Sequence, residues 1–290
     1  MNEVLQAMLK GYPLDSTENC ENAVKEIVQE IVLLGLWRAK FFEHAAFYGG
    51  TALRILHRLN RYSEDLDFSL LKPDRDFQLR KYHQAVSAEL ISLGFEADVE
   101  SISKHDAQNI DSSFVKLNTA KHFLIVSAPQ ELVRRIHHQA NIKVKFEIDI
   151  DPPLGFSTEG IQIFRPAPFT VRTYTLPNLF AGKLSAVLCR KWVHRVKGRD
   201  WFDLIWFVAS NIPVHMGHLR QRLLQSEFIK DASAFDKQAL VEGLNKKLDG
   251  LDLEAAMADV RPFLKDKRQM DGWSKDLFKA VIERIEVTPN

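Results

Sequence analysis

Apolar spacing divides the chain into two regimes. Residues 21–43 place Val24, Ile27, Val28, Ile31, Leu34 and Trp37 at three- and four-residue steps, the spacing of one face of an α-helix. The apolar run AAFY stops at Gly49 and Gly50, so a strand is expected to enter a tight turn there. Leu53, Leu56 and Leu59 then predict a short helix over 51–59. In EDLDFSLL the period falls to two: Leu66, Phe68 and Leu70 share one face, and Asp65, Asp67 and Ser69 share the other. That is the pattern of a half-buried strand. FQLRKYHQAVSAELISLGF predicts another helix, ending near Gly94. NIKVKFEIDI predicts the clearest strand, with Ile142, Val144, Phe146, Ile148 and Ile150 alternating with Lys143, Lys145, Glu147 and Asp149 until two prolines interrupt it.

After FTVRTYTL the period changes for good. Helices are expected at 177–195, 199–210, 214–226, 235–247, 252–263 and 272–286. The fold class is therefore an α/β (α+β) N-terminal domain with a mixed sheet, plus an all-helical C-terminal domain. The division expected is 1–165, including the N-terminal helix, and 166–290, with the boundary between roughly 155 and 175.

Composition narrows the partners. Of the 290 residues, 46% are hydrophobic and 27% charged, and the net charge is +1. A globular chain of this balance has no global field to draw in nucleic acid, so such a partner must be met by a local patch. Cys20 and Cys189 supply neither a disulfide framework nor zinc spacing, which favours a reducing compartment. The N-terminus is acidic and polar where a signal peptide would be basic and then apolar, and the run IVLLGLW is too short to span a bilayer. A cytoplasmic protein with no membrane partner is expected.

The chemistry begins with Asp65 and Asp67, which a two-residue period sends to one side of a strand. Two carboxylates so placed repel unless they are solvated, paired with Lys or Arg, or bridged by a cation. Hard oxygens suit Mg²⁺ or Mn²⁺. On its own the tripeptide reads first as a solvated edge-strand face. Gly49 and Gly50 upstream permit a sharp turn and close backbone approach, and the helix that follows presents free N–H groups to an anion such as phosphate. Thr51 either adds a hydroxyl to that ligand or simply caps the helix. In KFEIDID, Glu147, Asp149 and Asp151 again share one side. If that strand neighbours the first, a third carboxylate joins the site, as a two-metal phosphoryl displacement requires.

A second cluster occupies LFAGKLSAVLCRKWVHRVKGRDWFDLIWF, residues 179–207. Phe180, Leu184, Val187 and Leu188 make an apolar stripe, while Lys183 and Arg190 align on another face. Asp200 and Asp203 fall one turn apart in the next helix, where Asp200 is also well placed near a helix N-terminus. Six Lys or Arg lie from Lys183 to Arg199 with no acid among them, accompanied by Trp192 and His194. This basic segment could meet an RNA backbone or be an ordinary charged turn. The Trp residues at 37, 192, 201, 206 and 273 fall mostly on apolar helix faces and read as core. Arg134, Arg135, His137 and His138 form another basic cluster, read as a solvated turn or helix end. Neither HExxH, a Walker loop nor G-x-S-x-G occurs.

YGGTALRILH..NRYSEDLDF resembles the AbiEii/AbiGii toxin family, nucleotidyltransferase toxins of type IV toxin–antitoxin systems. The match runs through both glycines, Thr51, Leu53, Arg61, Ser63, Asp65, Asp67 and Phe68, and the resemblance spans roughly 45–210. It implies a nucleotidyltransferase-like N-terminal domain and a cleft shared with the helical domain. The implied reaction moves an NMP from an NTP to an acceptor, with tRNA or other RNA expected and a cognate antitoxin protein as partner. By resemblance the catalytic set is Asp65, Asp67, Glu147, Asp149 and Lys183, with Asp65, Asp67 and Glu147 holding Mg²⁺ (or Mn²⁺). Glu147 aligns with the family's acidic position, and Asp149 lies on the same face. Gly49, Gly50, Thr51, Lys183, Arg190, Arg199, Asp200 and Asp203 are implied in nucleotide binding, although Arg199 and the two aspartates fit loop-bracing ion pairs as well. Two other readings stand beside this one. A metal-dependent glycosyltransferase also uses an Asp-x-Asp, and a catalytically inactive NTP-binding module would keep the fold alone.

Overall fold

A computed structural model of the chain describes residues 3–95, 97–102, 110–117, 142–190 and 196–288. The cluster at Arg134, Arg135, His137 and His138 lies outside them, as do residues 191–195 with Trp192 and His194. Two compact units are formed: Met1–Arg58, Tyr62–Pro152 and Glu159–Thr173 make the first, and Leu59–Arg61, Pro153–Thr158 and Tyr174–Asn290 the second.

The first unit opens with helices α1 (Glu3–Leu9) and α2 (Thr17–Arg38). Ser16 starts α2, its side chain accepting from the Asn19 amide at 3.1 Å, an N-cap that satisfies one of the helix's unpaired donors. Strand β1 (Ala45–Tyr48) runs directly into α3 (Gly49–His57), so the helix begins on the glycines and not at Thr51 as expected. Strand β2 (Leu66–Leu70) follows, then α4 (His83–Ser92). Gly94 closes α4 with φ +89, the left-handed backbone that a helix end favours and glycine adopts without steric penalty. The remaining strands are β3 (Ala97–Ile102), β4 (Ile110–Leu117), β5 (Ile142–Asp149), β6 (Thr158–Ile163) and β7 (Phe169–Tyr174).

The described strands form one mixed sheet in the order β3-β4-β5-β2-β1-β7-β6. At its centre β2 pairs antiparallel with β1 and parallel with β5. Phe68 and Leu66 are wholly buried, and Phe68 meets Phe41 edge-on at 4.9 Å between ring centroids. Ser69, expected on the polar face of β2, is also buried. The strand is therefore covered on both faces at its C-terminal end and only Asp67 along it keeps partial exposure. Helix α2 packs on β5 and α4 and is buried nearly all round from Asn22 to Leu36. Trp37 at its end is 40% exposed, which corrects its assignment to the core, whereas Trp201 is wholly buried.

The described elements after β7 are helices α5 (Leu176–Cys189), α6 (Gly198–Ala209), α7 (Met216–Gln225), α8 (Lys237–Asp249), α9 (Leu253–Val260) and α10 (Lys275–Glu283), with short 3-10 turns. Helix α5 stops at Cys189, because Arg190 takes extended backbone (φ −65, ψ 132); the expected continuation to 195 does not occur at that point. Helices α6 and α7 pack on α5, and α9 packs on α6. Phe180 of α5 stacks on Phe207 of α6 at 4.4 Å, and Trp201 meets Phe278 of α10 edge-on at 5.2 Å. Among the described residues no helix is long and apolar enough to cross a membrane.

Candidate active site

The parallel pairing of β2 and β5 sets Asp67 directly opposite Glu147. Partners in register point to the same face of a sheet, so the two side chains are neighbours across the ladder. Like charges in that position are destabilising, so the fold accepts a liability here. Lys145, two residues earlier on the same face of β5, places its ammonium on Glu147 and offsets part of the repulsion. Asp149 stands opposite Ser69 instead, and its carboxylate accepts the Asp151 amide at 3.1 Å, a local turn contact at the end of β5. Asp65 lies one residue before β2 and is exposed.

The glycine turn is built around the same aspartate. Gly49 has φ +80, a conformation that side chains other than glycine's rarely tolerate. A Cβ on Gly49 would stand 3.1 Å from both Cβ and Cγ of Asp67 and closer still to its carboxylate oxygen. Glycine is thus required twice over, by the turn and by the Asp67 carboxylate lying against its backbone. No side chain caps the N-terminus of α3, where Tyr48 holds the capping position. The first-turn amides of Gly49, Gly50 and Thr51 are the kind of donors that bind phosphate. Thr51 itself is wholly buried and donates its hydroxyl to the backbone carbonyl of Asp65. Its hydroxyl proton is therefore spent inside the protein, on the segment that carries the first aspartate.

Among the described residues no three His, Cys, Asp or Glu side chains are already gathered as a metal cage. Asp65, Asp67 and Glu147 are therefore not preassembled as three ligands: Asp65 precedes the strand and Glu147 is paired with Lys145. The donor chemistry still fits Mg²⁺ or Mn²⁺. Mg²⁺ is commonly held by one or two carboxylates, with waters and substrate phosphates completing the octahedron, and Asp67 with Glu147 supplies that pair.

The second unit gathers the other residues singled out above. Lys183 of α5 lies 2.7 Å from Asp203 and 3.3 Å from Asp200, both on α6. Arg61 forks onto Asp203 with bonds of 2.7 and 2.6 Å, and Arg190 pairs with Asp200. Burial alone would push the Asp203 carboxyl up, but Arg61 and Lys183 outweigh it and hold the group below the usual carboxylate range. Arg199 departs from this group: it lies 3.5 Å from Asp259 and 4.2 Å above the Phe263 ring. The helix carrying both aspartates starts at Gly198, where a Cβ would come within 2.8 Å of the Ala256 Cα and nearer still to its carbonyl. The small residue lets α6 and α9 approach.

Three residues make contacts that the sequence did not announce: Lys145 with Glu147, Gln29 with the Ser63 and Glu64 carbonyls, and Arg61 with Asp203. Lys145 looks like any outward lysine of an alternating strand. Gln29 reads as a solvent-facing position of an amphipathic helix. Arg61 belongs to the family motif, but only coordinates show that Asp203 is its partner, 142 residues away.

A model of the family described as nucleotidyl transferase AbiEii toxin, type IV TA system, matches residues 31–283. Among solved structures, JHP933 from Helicobacter pylori is similar at 18% identity and a TM-score of 0.51, over 90% of each chain. A candidate nucleotidyltransferase from H. pylori is similar at 17% identity and a TM-score of 0.45, over 88% of each chain. No match is found among proteins of curated function. At such identities the likeness to JHP933 shows a shared fold, and the family model carries the functional information.

Proposed function

The chain belongs to the AbiEii family of nucleotidyl transferase toxins of type IV toxin–antitoxin systems, and from that premise we propose a divalent-metal-dependent transfer of an NMP from an NTP to an RNA acceptor, with tRNA as the first candidate. Membership itself implies nucleotidyl transfer, an NTP substrate and an antitoxin partner. The metal and the RNA are the proposed parts. The observation that supports the metal is the in-register pair Asp67 and Glu147, with the Gly49 backbone pressed against the Asp67 carboxylate.

In the reaction the acceptor hydroxyl oxygen bonds to the α-phosphorus of the NTP. The bond from that phosphorus to the bridging oxygen breaks, pyrophosphate leaves, and the hydroxyl proton is lost to a base. A cation held by Asp67 and Glu147, with Asp65 as the third expected ligand, would neutralise charge on the triphosphate and on the attacking oxygen. Glu147 is preferred to Asp149 as the later acidic residue because it faces Asp67, whereas Asp149 faces Ser69. The Gly49 and Gly50 amides at the start of α3 donate to phosphate oxygens. Lys183 is proposed as a triphosphate contact on the family resemblance alone, its ammonium being shared here between Asp200 and Asp203. Arg190, Asp200 and Asp203 act chiefly by holding α5 and α6 in place, and Arg199 by tying α6 to Asp259 of α9.

The test is incubation with each labelled NTP, total cellular RNA and Mg²⁺ or Mn²⁺, with products resolved on a gel. Labelled RNA from the unaltered protein, and a loss of at least a hundredfold in Asp67→Asn with its circular dichroism unchanged, are expected. Undiminished labelling by Asp67→Asn would sink the site assignment. Labelling that persists in excess EDTA would sink the metal dependence.

A further inference from the structure

The segment that delivers Asp65 to the site is irregular, spanning Tyr62 to Asp65 between an isolated bridge at Arg61 and the start of β2. Irregular backbone next to a metal ligand needs something to fix it, since a loosely held ligand loses affinity through the entropy of ordering it. Two buried polar side chains supply that fixation. Gln29 on α2 is wholly buried, and its amide nitrogen donates to the Ser63 carbonyl at 3.0 Å and the Glu64 carbonyl at 2.9 Å. Both protons of one amide are thereby spent on two consecutive carbonyls. Thr51 on α3 donates to the next carbonyl, that of Asp65. Three successive backbone carbonyls are thus held by side chains from two different helices.

The arrangement is expensive unless it serves the site. Among the described residues the buried oxygen of the Gln29 amide has no hydrogen-bond partner, and an unmet buried acceptor costs about 1–3 kcal/mol. An apolar residue at 29 would avoid that loss in a helix that also buries Val28, Val32 and Leu33, although Glu26 and Glu30 are buried on it too. Apolar packing could stabilise α2 as well, but it could not hold the Ser63 and Glu64 carbonyls.

We infer that Gln29 and Thr51 are positioning residues that clamp the 63–65 backbone and so set the metal affinity of the Asp65–Asp67 pair. Both side chains are buried and spend their donors on the protein backbone, so neither side chain is assigned a contact with substrate. The inference rests on the proposed metal site, and the readout is binding of Mn²⁺ alone, tracked by the decline of its free electron paramagnetic resonance signal on titration with the full-length protein. Gln29→Met keeps the volume and removes both donors. It is expected to weaken Mn²⁺ binding about tenfold or more, the range seen when groups that orient metal ligands are altered. Val28→Ala, on the same helix and equally buried, is the control for mere loosening of α2 and should leave the affinity unchanged. Asp67→Asn should abolish binding.

The outcomes separate the two ideas. Unchanged Mn²⁺ affinity in Gln29→Met, with binding lost in Asp67→Asn, overturns the clamp and leaves the site standing. An equal weakening in Val28→Ala overturns the clamp as well. Absence of Mn²⁺ binding together with absence of NTP incorporation in the unaltered protein removes the metal site and the clamp with it. If Gln29→Met fails to fold, the pair Thr51→Val and Thr51→Ser decides: the first removes the hydroxyl and the second restores it, so weakened binding must appear in Thr51→Val alone. Equal affinities in that pair overturn the clamp.

Discussion

Asp203 is the carboxylate on which Arg61 and Lys183 converge, and it is wholly shielded from water. A buried ion pair need not stabilise a fold relative to an apolar replacement, but removing one member strands the other. Asp203→Asn keeps the shape and leaves the Arg61 guanidinium buried against a neutral amide. It is expected to destabilise the second unit by about 3–5 kcal/mol, read as a shift in urea unfolding near neutral pH. The sign of the pH dependence follows from the direction of the shift. The folded carboxyl binds its proton less readily than the ordinary value of 3.8 implies, so its stabilisation is full above that value and is lost as pH falls through the lower folded value. The gap between the unaltered protein and the variant should therefore close on acidification below 3.8, and a gap that stays constant there would show that charge is not what Asp203 contributes.

At the scale of elements, helix α2 shows how far the pattern of residues could be read and where it stopped. Val24, Ile27, Val28 and Ile31 located the helix, which runs Thr17–Arg38 where 21–43 was expected, and strict alternation placed β2 and β5. The glycines marked the β1–α3 turn, and the expectation that the two acidic strands are neighbours is met by Asp67 standing opposite Glu147. What periodicity could not supply was the environment of the other helix face. Glu26, Gln29 and Glu30 look like a solvated stripe, yet all three are buried because distant residues cover them: Arg54 pairs with Glu26, Tyr12 donates to Glu26 at 3.0 Å, and Arg165 lies 2.6 Å from Glu30. Those partners are set by the tertiary fold, and no local spacing announces them. Burial raises the Glu30 carboxyl to about 7, with Glu26 adding to the rise and Arg165 opposing it. The folded state then binds a proton that the unfolded state releases near 4.5, so stability falls as pH rises from there to about 7. Glu30→Gln, whose amide oxygen can still accept from Arg165, should flatten that part of the stability curve and raise the melting temperature above pH 7. Thermal unfolding across the interval checks it; an unchanged slope in the variant would assign the dependence to another group.

For the molecule as a whole, the charge balance makes a strong claim about how RNA could be met. With a net charge of +1, long-range attraction to a polyanion is nearly absent, so recognition of an RNA acceptor must come from a local concentration of charge. The stretch from Lys183 to Arg199 is the candidate for that concentration in sequence, but several of its members are already engaged: Lys183 with Asp200 and Asp203, Arg190 with Asp200, Arg199 with Asp259. Lys191 and Arg195, which sequence alone places in the same stretch, are the ones to test. Replacing both by Ala removes two positive charges and takes the net charge from +1 to −1. If they meet RNA phosphates, the KM for RNA should rise about tenfold while that for NTP holds. The slope of log affinity against log salt should also fall by roughly 1.4, at about 0.7 for each single-stranded phosphate that is no longer neutralised. The exposed Lys237 and Lys246 on α8 provide the matched control, since replacing both by Ala changes the net charge equally. An equal loss in that control would mean that total charge matters and the segment does not, whereas a loss confined to the Lys191 and Arg195 pair would locate the RNA-binding surface in the segment that precedes α6.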